Sequence, residues 1–241
     1  MRSDGRLQQL VDSSEKRFRS VLALGEERIG NQPLGSSPVI FESPDGLEYG
    51  YFLSFGLTSL VIVTNDGRTV EVGIVGREGF VGTPIAAGLN RTPYRAVVQA
   101  NGNGFRIKAE VLEVILSSTP NLRLRLNQYA QIQGMQVAQL AACNRLHEID
   151  QRLARWMLMC QDRICSDLLP MTHEFFAEML GSGRPSVSLA AAGLQKAGLI
   201  QYARGTVRII NRKGLEEAAC ERYGVIRQLD DNPNISPKLL G

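Results

Sequence analysis

A chain of 241 residues has room for one or two domains. Hydrophobic residues make up 44% of it and charged residues 21%, enough to bury a core and too ordered a composition for a largely disordered chain. The net charge of +3 does not by itself point to nucleic acid. No apolar run approaches the ~18 residues that cross a bilayer. The polar start (Met1, Arg2, Ser3, Asp4, Gly5, Arg6) lacks an apolar signal core, so a cytoplasmic protein with no membrane partner is expected.

Residues 7–24 place Leu7, Leu10, Val11, Phe18, Val21 and Leu22 at loose helical spacing, and residues 30–44, rich in Gly, Pro and Ser, read as loop. From Tyr51 the texture changes to β-branched and aromatic runs, 51–56 and 57–63. Turn residues Asn65-Asp66-Gly67 follow, and 68–75 alternates on the far side, which is the signature of a β-hairpin. A strand over 94–100, a turn at Asn101-Gly102-Asn103-Gly104 and a further strand at 105–107 complete the pattern of a small β-roll or jelly roll. Glu71 and Glu78 read as exposed charges at strand ends.

A short helix is predicted over 109–116, ended by Ser117-Ser118-Thr119-Pro120, and a long one over 121–142. The long helix carries two adjacent stripes. One is Leu122, Leu126, Tyr129, Gln133, Gln136, Leu140 and Cys143; the other is the small-residue set Asn127, Ala130, Gly134, Val137 and Ala141. Two adjacent faces fit a helix that packs on its own domain with one and on a second copy with the other, although one broad core face is the alternative. A further helix over 148–162 (Ile149, Leu153, Trp156, Met157, Cys160) and a break over 165–170 follow.

Thr172 is an N-cap ahead of Phe175, Phe176, Met179 and Leu180. Gly181-Ser182-Gly183 makes a tight turn, and Arg184-Pro185 opens a second helix that ends near Gly198. Two short helices joined by a glycine turn describe a helix-turn-helix. Two strands around Ala203-Arg204-Gly205 then form a wing, Asn211 caps a last helix over 212–222, and a tail holds Pro233 and Pro237.

Charge is segregated along this order. Residues 1–120 carry 12 basic and 13 acidic side chains, whereas residues 179–215 carry no acid and six bases: Arg184, Lys196, Arg204, Arg208, Arg212 and Lys213. The acid-free window covers the turn, the second helix and the wing, the parts of a winged helix-turn-helix that face DNA. Candidate DNA-binding residues are Thr172, His173, Ser182, Arg184, Pro185, Ser186, Ser188 and Arg204. Arg184 is assigned to guanine O6/N7, which a guanidinium can meet with two parallel hydrogen bonds, and Arg204 to phosphate.

Metal and catalytic chemistry have little to draw on. The four cysteines (Cys143, Cys160, Cys165, Cys220) form no C-x-x-C pair or zinc-type spacing, and there are only two histidines, His147 and His173. Inert reduced thiols and no metal ligand are expected. No nucleophile, base and orienting group form a constellation, so no enzyme is expected.

The segment Tyr51-Phe52-Leu53-Ser54-Phe55-Gly56, the hairpin Gly67 to Gly82, and the pieces Gly181-Ser182-Gly183-Arg184-Pro185-Ser186-Val187 and Leu194-Gln195-Lys196-Ala197-Gly198-Leu199-Ile200 together resemble the CRP/FNR superfamily of bacterial transcription regulators over about 30–225. The resemblance implies an α+β chain in three parts: a cyclic-nucleotide-binding-like β-roll sensor (1–120), a dimerisation helix and hinge (121–147) and a winged helix-turn-helix domain (148–241). It also implies a homodimer on double-stranded DNA, with RNA polymerase as a further partner. The match is atypical. Cyclic-AMP binders have Gly-Glu and, about ten residues on, Arg-Ser or Arg-Thr. Here Gly82 is followed by Thr83, and the later pair is Tyr94-Arg95. Val137 and Ala138 stand where polar adenine contacts would be expected. Haem and iron–sulfur signatures are missing too, so the effector is left unassigned, with Gly82, Thr83, Tyr94, Arg95, Val137 and Ala138 as its candidate pocket. The other reading of the chain is a protein-interaction or scaffold module.

Overall fold

In this computed structural model, residues 26–27, 39–41 and 46–231 are described. The expected helix over 7–24 and the proline tail lie outside the described residues. The N-terminal part is an antiparallel sheet of β1 (Glu26–Glu27), β2 (Val39–Phe41), β3 (Tyr49–Val63), β4 (Thr69–Val75), β5 (Phe80–Val81) and β6 (Arg95–Lys108). The order is β1-β6-β3-β4, with β2 added to β6 and β5 to β3. The hairpin between β3 and β4 closes where the Thr64 N–H donates to Arg68 O and Gly67 takes φ +82°, a conformation that suits the residue without a Cβ.

Three expectations for this half need correcting. Residues 39–41 are strand, not loop, because Val39 and Phe41 pair with β6. Asn101-Gly102-Asn103-Gly104 is no turn: β6 runs through it unbroken, with bulges opposite β3. The glycines serve close approach instead. A Cβ on Gly102 would lie 2.2 Å from Phe55 O, and one on Gly104 would lie 2.2 Å from Phe52 O. Nor are Glu71 and Glu78 exposed. Glu71 is buried and accepts hydrogen bonds from Ser59 and from Trp156 Nε1 at 2.7 Å, and Glu78 meets the buried Arg163 at 2.7 Å. Their partners come from helix 149–164, about 85 residues on, which local sequence pattern cannot register.

A single-turn helix α1 (Thr83–Ala86) leads to β6, and α2 (Ala109–Ser118) to the long α3 (Pro120–Leu146). On α3 the buried residues are Leu126, Tyr129, Ile132, Gln133, Gln136, Leu140 and Cys143, close to the larger-residue stripe predicted to face inward. Helix α4 (Ile149–Ile164) begins with a capping box between Glu148 and Gln151 and ends at Cys165, φ 55°. It supplies Leu153, Trp156, Met157 and Cys160 to a core that also holds Leu57, Val61 and Ile74 of the sheet. A separate core of Phe52, Phe80, Ile85, Leu112, Leu126 and Tyr129 fills the roll.

The C-terminal part comprises β7 (Leu168–Leu169), α5 (His173–Leu180), α6 (Arg184–Lys196), β8 (Ile200–Ala203), β9 (Thr206–Ile209), α7 (Arg212–Ala218) and α8 (Arg222–Asp231). The predicted break over 165–170 contains β7, the third strand of the wing sheet, in the order β7-β9-β8. The predicted last helix, 212–222, stops at Ala218, where the chain turns extended at Ala219, and a further helix begins at Arg222. Helix α8 returns to α3: Gln136 Nε2 donates to Asp230 at 2.6 Å and Arg222 to Gln139 at 3.1 Å. Among the described residues no helix is long and apolar enough to cross a membrane.

Candidate nucleic-acid interface

Helix α5 starts where the Phe175 N–H donates to Thr172 Oγ1 at 3.1 Å. It stops at Gly181, which adopts φ 58° and turns the chain towards Ser182 and Gly183. The chain re-enters helix at Arg184 with Pro185 in the first turn, where its missing N–H costs nothing. Helix α6 buries Val187, Ala190, Ala191 and Leu194 against the domain. Arg184, Pro185, Ser186, Leu189, Ala192 and Lys196 remain on its outer side.

The eight residues singled out from sequence do not stand alike. Arg184, Pro185 and Ser186 are exposed at the N-terminus of α6, and Arg204 is exposed at the wing tip with φ 47°. Thr172 and Ser182 sit at the two helix junctions. Thr172 lies beside the wing turn, since a Cβ on Gly205 would be 3.5 Å from its methyl group. His173 and Ser188 are spent on each other instead: Nδ1 and Oγ are 3.1 Å apart. The His173 ring also lies 4.0 Å from that of Tyr202 on β8. Burial, with Arg184 adding a smaller effect, pushes its pKa below the ordinary value, which favours a neutral imidazole. His173 thus ties α5, α6 and the wing into one rigid piece.

Arg184 has a partner that the sequence reading overlooked. Its Nη1 lies 3.3 Å from Glu174 Oε2, with both side chains about two-thirds exposed (67% and 60%). A pair this exposed is weakly held, so the Arg184 guanidinium is free to leave it. Also missed were Leu189, 77% exposed in the middle of the outer face, and Gln195, whose Oε1 accepts from the Tyr202 N–H at 2.8 Å and fixes the wing to α6. The helical period marks Leu189 as outward, because at ~100° per residue it stands about 200° round the axis from the buried Val187.

Residues 151–218 match the family model described as the Crp-like helix-turn-helix domain. The chain therefore carries a Crp-like helix-turn-helix domain. Solved structures extend the likeness to the whole fold. A CRP-family transcriptional regulator from Thermus thermophilus aligns with a TM-score of 0.63 and 23% identity, over 76% of this chain and 93% of that one. FixK2 from Bradyrhizobium japonicum gives 0.66 and 15%, over 81% and 96%. The c-di-GMP responsive global regulator CLP from Xanthomonas campestris gives 0.65 and 16%, over 82% and 98%. No curated protein sequence matches the chain. The fold is thus that of CRP-family transcription regulators, a β-roll joined by a long helix to the Crp-like domain.

Two further groups of residues have definite places on this Crp-like scaffold. Gly82, with φ 109°, turns the chain into α1. Thr83 Oγ1 donates to Gln133 Oε1 on α3 at 3.0 Å and lies 3.5 Å from the Tyr94 hydroxyl. Gln133 Nε2 is buried there without a hydrogen-bond partner. Arg95 is half-buried at the start of β6. Val137 and Ala138 do not join this corner. They are exposed, because each residue turns an α-helix by ~100° and carries them off the Gln133 and Gln136 face. The small stripe of α3 faces outward: Asn127, Gly134, Val137 and Ala141 are exposed, and Ala130 is half-buried. Beside it are the exposed Leu124 and Met135.

Folding also assembles a group that chain spacing hid. The Cys143, His147 and Cys220 ligand atoms all lie within 4.8 Å of one another, although Cys220 is 77 residues from Cys143.

Proposed function

We propose that the chain is a sequence-specific DNA-binding transcription regulator that acts as a homodimer. The observation that carries the reading is the outer surface of α6 and the wing, which presents Arg184, Lys196, Arg204 and Arg208 with no acidic residue between positions 179 and 215. Arg184 leaves Glu174 and reads guanine; Ser186 reaches base edges or phosphate; Leu189 provides an apolar contact suited to a thymine methyl group. Thr172, Ser182 and Arg204 hold phosphates on either side of the recognition helix. His173 and Ser188 act by positioning α5 against α6, and Pro185 by setting the entry of α6.

The outward stripe of α3 supports dimerisation, since small side chains along Asn127, Ala130, Gly134, Val137 and Ala141 allow a second α3 to approach closely. The effector, if one exists, is not cyclic AMP: Thr83 takes the place of the ribose-binding carboxylate and is already bonded to Gln133. RNA polymerase remains the expected further partner, and the protein is expected to work in the cytoplasm. Binding to the chain's own operator, found by genome-wide mapping of bound sites, should weaken steeply with salt as phosphate contacts release counterions. Arg184→Ala should lower operator affinity by about 5- to 150-fold, the loss of one bidentate base contact. An unchanged affinity would reject the placement of α6, and salt-independent binding would favour the interaction-module reading.

A further inference from the structure

The structure assigns a binding site for one thiophilic divalent cation, Zn2+ by chemistry, to Cys143, His147 and Cys220. Cys143 and His147 are four residues apart, so they share one face at the end of α3, where the His147 N–H donates to Cys143 O at 3.1 Å. Cys220 reaches them from the segment joining α7 to α8, and its Sγ is 3.2 Å from Cys143 Sγ. Both cysteines are buried and unbridged. Zn–S bonds of ~2.3 Å at tetrahedral angles put two ligand sulfurs ~3.8 Å apart, so a small opening of this pair admits the ion.

The histidine is arranged as metal-ligating histidines are. Its Nε2 lies 3.0 Å from Glu221 Oε2, which favours the tautomer with the proton on Nε2 and leaves a lone pair on Nδ1. That Nδ1 atom is buried without a hydrogen-bond partner. A carboxylate behind the imidazole fixes its tautomer and orientation. Charge also suits a divalent ion. With both thiols ionised, Cys143, Cys220 and Glu221 are matched by Arg152, Arg155 and Arg222, so the thiolates are held in a cationic surround that lets both ionise for an ion. Binding releases the thiol protons to solvent and oxidises nothing. Three protein donors leave one tetrahedral position for solvent. The ion would clamp the end of α3 to the back of the helix-turn-helix domain.

The test uses the full chain, purified metal-free under anaerobic phosphine reductant and titrated with Co2+ as a spectroscopic probe. The expected result is one equivalent bound, an intense sulfur-to-cobalt band in the near ultraviolet with tetrahedral visible bands, and displacement by one equivalent of Zn2+. Metal should slow the reaction of Cys143 and Cys220 with thiol reagents and leave that of the exposed Cys165 unchanged. Cys143→Ser, Cys220→Ser and His147→Gln should each abolish the band or weaken binding more than 100-fold. Glu221→Gln should weaken it about 10- to 100-fold, and the exposed Cys165→Ser should leave it unchanged. A wild-type chain that gives no sulfur-to-cobalt band overturns the assignment whatever the variants do. So does a Cys143→Ser protein that keeps the full band at unchanged affinity.

Discussion

Glu71 makes the folded chain sensitive to pH in a calculable way. Its carboxyl is fully buried between β4 and α4, with hydrogen bonds from Ser59 and Trp156. Burial pushes its pKa up from 4.5 to about 7, against the smaller opposing effects of those two hydrogen bonds and of Arg155 and Arg163. A group whose folded value lies above its unfolded one contributes most stability below the unfolded value and loses it as pH rises through the folded value. The window is therefore pH 4.5 to about 7. At about 1.4 kcal/mol per pH unit, the ionised carboxylate costs the folded state about 3 kcal/mol above that window. Glu71→Gln cannot ionise and keeps a carbonyl to accept from Trp156. It should match the wild type within about 0.5 kcal/mol near pH 4 and exceed it by about 3 kcal/mol at pH 8. The chain's single tryptophan is the residue bonded to Glu71, so urea unfolding followed by its fluorescence reports on the site itself. A Glu71→Gln protein less stable than wild type at pH 8, or a difference that does not change with pH, would refute the reasoning and show that Arg155 and Arg163 keep the carboxylate ionised.

Arg163 bridges Glu78 at 2.7 Å and Asp230 at 2.9 Å from a buried position; Arg163→Met should cost about 3 kcal/mol in the same unfolding assay, because it strands two half-buried carboxylates. Gly102→Ala should destabilise by about 1–3 kcal/mol or more, since its Cβ would meet Phe55 O at 2.2 Å; a neutral result would mean that β3 and β6 can part at the bulge. Gly134→Glu tests the dimer. A Cβ there meets nothing within 4 Å, so an isolated chain should gain up to ~1 kcal/mol of helix stability, whereas a close α3 seam should break. Light scattering should show monomers for the variant and dimers for the wild type, and an unchanged mass would move the interface elsewhere.

What was legible in the sequence follows the range of the forces involved. Thr172 and Asn211 act as caps, Gly181 ends α5, and the period of α3 separates its inward and outward faces, because each depends on residues within about one or two turns. The β3–β4 hairpin was legible for the same reason. The four residues 101–104 misled because glycine and asparagine serve both turns and close strand approach, and only the partner strand decides between them. Glu71 and Glu78 look exposed in the sequence because Trp156 and Arg163 lie 85 residues away, and the approach of Cys220 to Cys143 spans 77. Within the candidate interface, the sequence located the surface from its charge. It could not separate Ser188, tied to His173, from Ser186, which faces out.

Those distant contacts also determine how the two halves can communicate. The sheet and the helix-turn-helix share a core rather than meeting through a linker. Trp156, held by Glu71 of β4, packs edge-on against Phe175 and Phe176 of α5, with ring centroids 5.8 and 5.5 Å away. Val70, beside Glu71, abuts Gly181 at the turn before α6: a Cβ on that glycine would stand 3.0 Å from its methyl carbon. Gln99 of β6 lies 3.5 Å from Met179 Sδ. Close-packed cores shift between discrete arrangements rather than deform smoothly. A change in the pairing of β3 with β4 is therefore expected to reach α5 through Glu71 and Trp156 of α4, and the contacts of His173 with Ser188 and Tyr202 join α5 to α6 and the wing.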